Sequence, residues 1–279
     1  MTIKPIPEIK AARLPDAFAF EADADAVGKW NSGIQAMQTP ENTISILDVI
    51  GEDIFGEGVT SRRVSAALRR IGDQEAFVDI NSPGGDFFEG VAIYNMLRQH
   101  KARVNIRILG LAASAASIIA MAGDEILIGS AGFIMIHNAW VVAVGNRHDM
   151  REAAEVLEPF DDAMASVYAG QAGVEKSQAA EWMDNEAWFN GDQAVSAGLA
   201  TGLFPADAVM EGAPKTRAGQ NSTRKVDTLL AKAGITRSER RTLLSELKGA
   251  TQDAGAEVTH DADNDWAKAA REFINSIRS

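Results

Sequence analysis

The residue types with the means for covalent chemistry gather in three short stretches of this chain. Gly110 to Gly123 reads GLAASAASIIAMAG and sets Ser114 among alanines at the start of an apolar helical run. Before it, Val104 to Leu109 (VNIRIL) is β-branched and apolar enough for a buried strand, which Gly110 is expected to end. Ser114 then falls near a first helical turn, where unpaired backbone N–H groups favour negative charge. A serine on a strand-turn-helix is the arrangement of a nucleophile elbow, although the G-x-S-x-G spelling is absent. The same small residues also suit a helix buried for packing alone.

The second stretch, INSPGGDFFEG from Ile80 to Gly90, follows the strand-like AFVDI and precedes the helical VAIYNMLRQH. Gly84 and Gly85 can take positive φ and bring bare backbone N–H groups close to a bound group. That fits an oxyanion hole or a cradle for substrate backbone, and equally an ordinary tight turn. The third stretch is found through histidine, of which the chain has four. His100 closes a polar helix end, His148 sits in the charged run NRHDMRE and His260 lies in an acidic tail. His137 instead ends the apolar run GFIMIH, where a strand end can hold it facing a cleft. Alone it reads as a core histidine. With Ser114 and the glycine turn on successive β–α units, it completes the parts for acyl transfer.

In these stretches the chain resembles the Clp-type serine peptidases, and among them the phage-encoded prohead or head-maturation proteases. The resemblance covers about Ser45 to Leu203. It runs in the family's order through INSPGG with the helix GVAIYNMLR, GLAASAASIIAMAGDEI, IMIHNAW, a long helix, and NEAWFNGDQAVSAGLA. It implies Ser114 as nucleophile and His137 as general base. The oxyanion hole it implies is formed by the Gly84/Gly85 turn and the N–H of Ala115, with Gly85 and Ala115 as donors and Gly84 against the substrate. Ser117, in the repeated AAS, is the competing serine and is placed one turn deeper, in packing. The family's acid lies just before the AWF-type strand, where EWMDNEAWF offers Asp184 and Glu186 around Asn185. Asp184 is the assignment, in a register shorter than that of the bacterial housekeeping enzymes; either carboxylate could orient the imidazole. The implied activity is endoproteolysis of capsid or scaffold precursors, with no cofactor, metal or nucleotide required by the chain itself.

Composition narrows the alternatives. The 27 basic against 39 acidic residues, net −12, argue against a nucleic-acid-binding surface as the main function. The absence of cysteine excludes disulfides and thiolate chemistry, and four scattered histidines give no metal-ligand spacing. No apolar run approaches the roughly 20 residues of a membrane span, and the N-terminus lacks the pattern of a secretion signal. A cytoplasmic protein without a membrane partner is expected.

The elements that must position these residues alternate between strand and helix from about 44 to 205, which predicts an α/β fold with a mostly parallel sheet. The family fold is such a spiral of β–β–α units. Residues 1–43 read as an arm without a strong regular pattern, 206–224 as a linker, and 225–279 as a helical tail that contacts an assembly or scaffold partner. Within the tail, Thr236-x-x-Glu239 predicts a capped helix over 237–248. The helix near 148–171 returns apolar residues at three- and four-residue steps, with Pro159 expected to kink it. The resemblance implies that this helix serves a homo-oligomeric ring. Two other readings stand beside the peptidase: an enoyl-CoA hydratase-like use of the fold, and a catalytically idle assembly protein.

Overall fold

The computed structural model describes residues 22–36, 39–52, 57–141, 143, 145–204, 209–211, 218–233, 235 and 239–246. Its named elements run α1 (Ala24–Lys29), β1 (Ile34–Ala36), β2 (Thr43–Ile46), α2 (Ser61–Ile71), β3 (Ala76–Ser82), α3 (Phe87–Arg98), β4 (Val104–Ala113), α4 (Ala115–Ala120) and β5 (Glu125–Gly129). They continue with β6 (Phe133–Met135), α5 (Arg147–Ala172), α6 (Lys176–Asp184), β7 (Trp188–Asn190), α7 (Gly191–Ser196), β8 (Gly202–Phe204), β9 (Val209–Glu211) and α8 (Ala218–Lys232). The chain divides into two compact units, Met1–Thr236 and Arg237–Ser279.

In the first unit, β2, β3, β4, β5 and β8 lie side by side in that order, all parallel, which is the mixed α/β architecture that the alternation predicts. β3 and β4 are buried along nearly their whole length, which explains why they read as continuous apolar runs rather than alternating ones. β4 serves two partners. Asn105 to Ile108 pair with β5, while Leu111 to Ala113 pair with β6, itself bordered by antiparallel β7. Gly110 therefore does not end the strand. A Cβ there would lie 2.8 Å from Ile34 Cδ1 and 2.9 Å from Asn81 Oδ1, so glycine gives room inside the strand for neighbours crossing it.

The main core joins the isoleucine-rich strands to the inward faces of α3, α4, α5 and α6. A smaller cluster of Ala26, Trp30, Leu111, Ala113 and Met135 seats α1 on the sheet. The Trp30 indole N–H donates to Asn81 O at 3.0 Å, and Asn81 Nδ2 donates to Asn31 O at 2.8 Å. Regular structure thus begins ahead of residue 44, in the stretch that reads as an arm. The stretch that reads as a linker holds β9, which pairs with β1, and the start of α8. α8 packs with α1, and its Arg224 forms a 3.0 Å ion pair with Asp48, so the first unit extends past the boundary at 224/225.

α5 opens on a capping box between Asn146 and Asp149, and its helical backbone runs unbroken through Pro159. Its C-terminal half packs through Phe160, Met164, Ala165, Tyr168 and Ala169, whereas residues 147–152 are exposed. In the second unit, residues 239–246 are helical, inside the predicted 237–248. Thr236 of the predicted cap lies outside the described residues, as does 265–279 of the tail, whose sequence DWAKAAREFINSIRS predicts an amphipathic helix.

Candidate active site

Strand register brings Ser114 and His137 together. Ala113 pairs with Met135 across β4 and β6, and the Ser114 N–H donates to Met135 O at 3.0 Å. The next two residues after β6 are Ile136, whose N–H donates to Ala187 O, and then His137. The result is a 2.7 Å hydrogen bond between His137 Nε2 and Ser114 Oγ, with His137 only 7% exposed. A serine hydroxyl in that bond has an acceptor for its proton already in place.

Ser114 sits at φ 53° and ψ −124°, a conformation that non-glycine residues rarely take and that costs about 1–3 kcal/mol. Several bonds hold it there. Its carbonyl accepts from Ser117 N at 2.9 Å and from Ser117 Oγ at 2.6 Å, while its own N–H is tied to β6. Ser117, the alternative serine, is fully buried, with its hydroxyl also 2.8 Å from Tyr168 Oη.

The glycine turn packs directly on this residue. Gly84 and Gly85 take φ of 90° and 146°. A Cβ on Gly84 would fall 2.7 Å from Ser114 Cβ and 2.6 Å from Ala113 O, so only glycine fits. The turn is anchored by Ile50 N donating to Gly84 O at 2.9 Å and by Asp86 N donating to Ile50 O at 3.0 Å. The Gly84 N–H is occupied by Ser82 Oγ, but among the described residues the N–H groups of Gly85 and Ala115 donate to nothing. Both residues line one small cavity with Ser114 and His137, walled on its apolar side by Phe87, Ile118 and Met164. Its volume, about 20 Å³, is enough for a single water.

Two carboxylates hold the segment that follows His137. Asp184, the last residue of α6, accepts from Asn138 Nδ2 at 2.8 Å. Asp161 of α5 accepts from the Ala139 N–H at 2.7 Å. Burial pushes the Asp161 carboxyl above its ordinary range, the Ala139 N–H opposes this, and the negative charge of Asp184 adds to the rise. Glu186 takes φ 46° just past α6, and its carboxylate makes no hydrogen bond or ion pair among the described residues. Sequence reasoning missed two residues here. Tyr168 falls there on the apolar stripe of the long helix near 148–171, and Asp161 of the same helix is not singled out. The three- and four-residue spacing that places Tyr168 inward was visible, whereas nothing local marks Asp161.

Among the described residues no group of three His, Asp, Glu or Cys side chains is placed to hold a metal ion, and no helix is long and apolar enough to cross a membrane.

Fold and site together define an α/β protein whose parallel sheet delivers a serine and a histidine to a shared cleft beside two bare amides. The Clp protease family model matches residues 59–207, and the chain belongs to that family. It is 33% identical over 186 residues to the ATP-dependent Clp protease proteolytic subunit 2 of Treponema denticola, covering 65% of this chain and 92% of that one. It is 28% identical over 152 residues to the ATP-dependent Clp protease proteolytic subunit of Deinococcus radiodurans, covering 53% and 71%. To proteolytic subunit 3 of Streptomyces avermitilis it is 30% identical over 149 residues, covering 52% and 68%.

Proposed function

We propose that this chain is a serine endopeptidase with Ser114 as nucleophile, His137 as general base and Asp184 as the acid that orients the imidazole. The observation that carries the reading is the 2.7 Å Ser114–His137 bond beside the unoccupied N–H groups of Gly85 and Ala115. His137 Nε2 takes the Ser114 proton as Oγ attacks the peptide carbonyl. The Gly85 and Ala115 N–H groups receive the negative charge that develops on its oxygen. The imidazolium then returns the proton to the leaving amine. Water, activated by the same histidine, releases the acyl group. Gly84, pressed against Ser114, holds the turn along which the substrate backbone lies.

Within this reading the substrate is a capsid or scaffold precursor and the chain is a head-maturation protease working as a homo-oligomeric ring. The five ordered sequence motifs support the first assignment, and the exposed start of α5, with Met150 39% exposed, supports the second. Fluorophosphonate labelling of the full-length protein, with the adduct mapped by mass spectrometry, tests the chemistry. Label at Ser114 that disappears in His137→Ala is expected; a folded protein that takes no label, or takes it at Ser117, refutes the assignment. Co-expression with a capsid precursor tests the substrate: processing by the wild type and not by Ser114→Ala is expected, and an uncut precursor refutes it.

A further inference from the structure

The peptide unit that joins Ser114 to Ala115 is braced from the long helix α5. The Ser117 hydroxyl donates to Ser114 O at 2.6 Å, and Ser117 Oγ lies 2.8 Å from Tyr168 Oη. With the Ser117 proton committed to the carbonyl, the Tyr168 hydroxyl must be the donor of the second bond. Both residues are fully buried, and burial pushes the Tyr168 phenol far above its ordinary range, so it keeps its proton. The bonds therefore run in one direction, from Tyr168 to Ser117 to the Ser114 carbonyl.

A peptide unit is planar, so the Ser114 C=O and the Ala115 N–H are opposite ends of one rigid group. Holding the oxygen fixes where the N–H points. That N–H is a bare amide of the cleft, and the carbonyl, which also accepts from Ser117 N at 2.9 Å and Ile118 N at 3.3 Å, belongs to a residue at φ 53°, a conformation that local preference disfavours and that these bonds must hold. We propose that Ser117 and Tyr168 are positioning residues that aim the Ala115 N–H at the developing oxyanion, an inference that rests on the serine-peptidase reading above. Neither side chain touches the reacting atoms. Their work is done through the carbonyl. A phenylalanine at 168 would fill the same space, so the hydroxyl is the part of Tyr168 that the packing does not require.

The test uses the full-length wild type, Tyr168→Phe, Ser117→Ala and the double variant, each followed by the fluorophosphonate inactivation rate and by thermal unfolding. The phosphonyl oxygen occupies the oxyanion position, so a misaimed donor lowers the limiting rate of inactivation while leaving probe binding unchanged. Removing an oxyanion donor outright costs about 10²–10³ in rate, and misaiming one is expected to cost about tenfold. Tyr168→Phe should show that loss, and the double variant should be no slower than Ser117→Ala, because Tyr168 acts only through Ser117. Wild-type rates in a folded Tyr168→Phe, or losses that multiply in the double variant, overturn the proposal. If a single variant fails to fold, the double variant leaves neither hydroxyl of the pair without its partner. Its rate then decides, with a tenfold loss in support and a wild-type rate against. A wild-type protein that does not react at Ser114 overturns the peptidase reading itself, before any variant is compared.

Discussion

Alanine at Gly84 should abolish most activity while leaving the fold intact. Two effects act at this position. The backbone at φ 90° is one that an L side chain adopts at a cost of about 1–3 kcal/mol. The new Cβ would also lie 2.7 Å from Ser114 Cβ and 2.6 Å from Ala113 O, against about 3.5 Å for an unstrained carbon contact. Relief demands a shift of roughly 0.8 Å, and it falls on Ser114 or on the turn that carries Gly85. A misplacement of about 1 Å at reacting groups costs about 10²-fold in rate. Gly173→Ala supplies the comparison, since Gly173 has φ 69° but nothing within 4 Å of its would-be Cβ. There the conformational cost of about 1–2 kcal/mol stands alone. Both variants should unfold a few degrees below wild type, but only Gly84→Ala should lose about 100-fold in kcat/KM on a fluorogenic peptide and in the rate of fluorophosphonate labelling. A Gly84→Ala protein within threefold of wild-type activity would show that the turn does not constrain Ser114, and the reasoning from close approach would fail.

Asp184→Asn should lower kcat by about 10³–10⁴-fold if this acid orients the imidazole, whereas Glu186→Gly should leave kcat unchanged and raise stability by about 1 kcal/mol by relieving a positive φ; steady-state kinetics with urea unfolding separates the two, and the reverse pattern would give the role to Glu186. The bidentate pair of Arg107 with Asp79, at 2.7 and 2.8 Å, is asymmetric, with side chains 21% and 3% exposed. Arg107→Met strands a buried carboxylate and should cost about 3–5 kcal/mol in urea unfolding, more than Asp79→Ala, which leaves an arginine able to reach water; equal losses would contradict this. The carboxyl of Asp161 titrates above its ordinary range in the folded chain, mainly through burial, so the folded state binds its proton more tightly than the unfolded state does. Stability contributed by this group therefore rises as pH falls through the raised value and levels off below the ordinary aspartate range. Unfolding free energies measured against pH should accordingly favour the wild type over Asp161→Asn increasingly toward acid, and a difference that is flat or of opposite slope would contradict the assigned shift.

Much of the fold was legible because buried parallel strands are written as apolar, β-branched runs, and because the helices between them carry caps and spaced apolar faces. AFVDI, VNIRIL and EILIG fall in β3, β4 and β5, and TSRRVSAALRRI falls on α2 with Thr60 as its N-cap. What misled was glycine, whose local meaning is a stop. In β4 its tertiary meaning is clearance for Ile34 and Asn81, residues that lie far away in sequence. The same holds for α1 and β1. They are short and weakly patterned, and they are held by Trp30 and Asn31 bonding to Asn81, contacts that no local window contains.

The choice between Asp184 and Glu186 has a physical reason for being illegible. The two acids differ by two residues, but between them the helix ends in a Schellman turn: Glu186 N donates to Met183 O at 3.0 Å and Ala187 N to Trp182 O at 3.0 Å. That motif places Glu186 in the left-handed position that glycine usually fills, so the sequence carries no stop signal where the backbone turns. With a glycine at 186, the helix end would have been readable, and Asp184 would have been fixed as the last helical carboxylate. The turn leaves Asp184 bonded to Asn138, the residue after the histidine, and leaves the Glu186 carboxylate without a partner among the described residues. The strained residue thus sits two positions from the assigned acid, just as the strained Ser114 is itself the assigned nucleophile. At Ser114 the strained backbone carries a residue that lines the cleft, and at Glu186 it ends the helix whose Asp184 bonds Asn138 of the cleft wall.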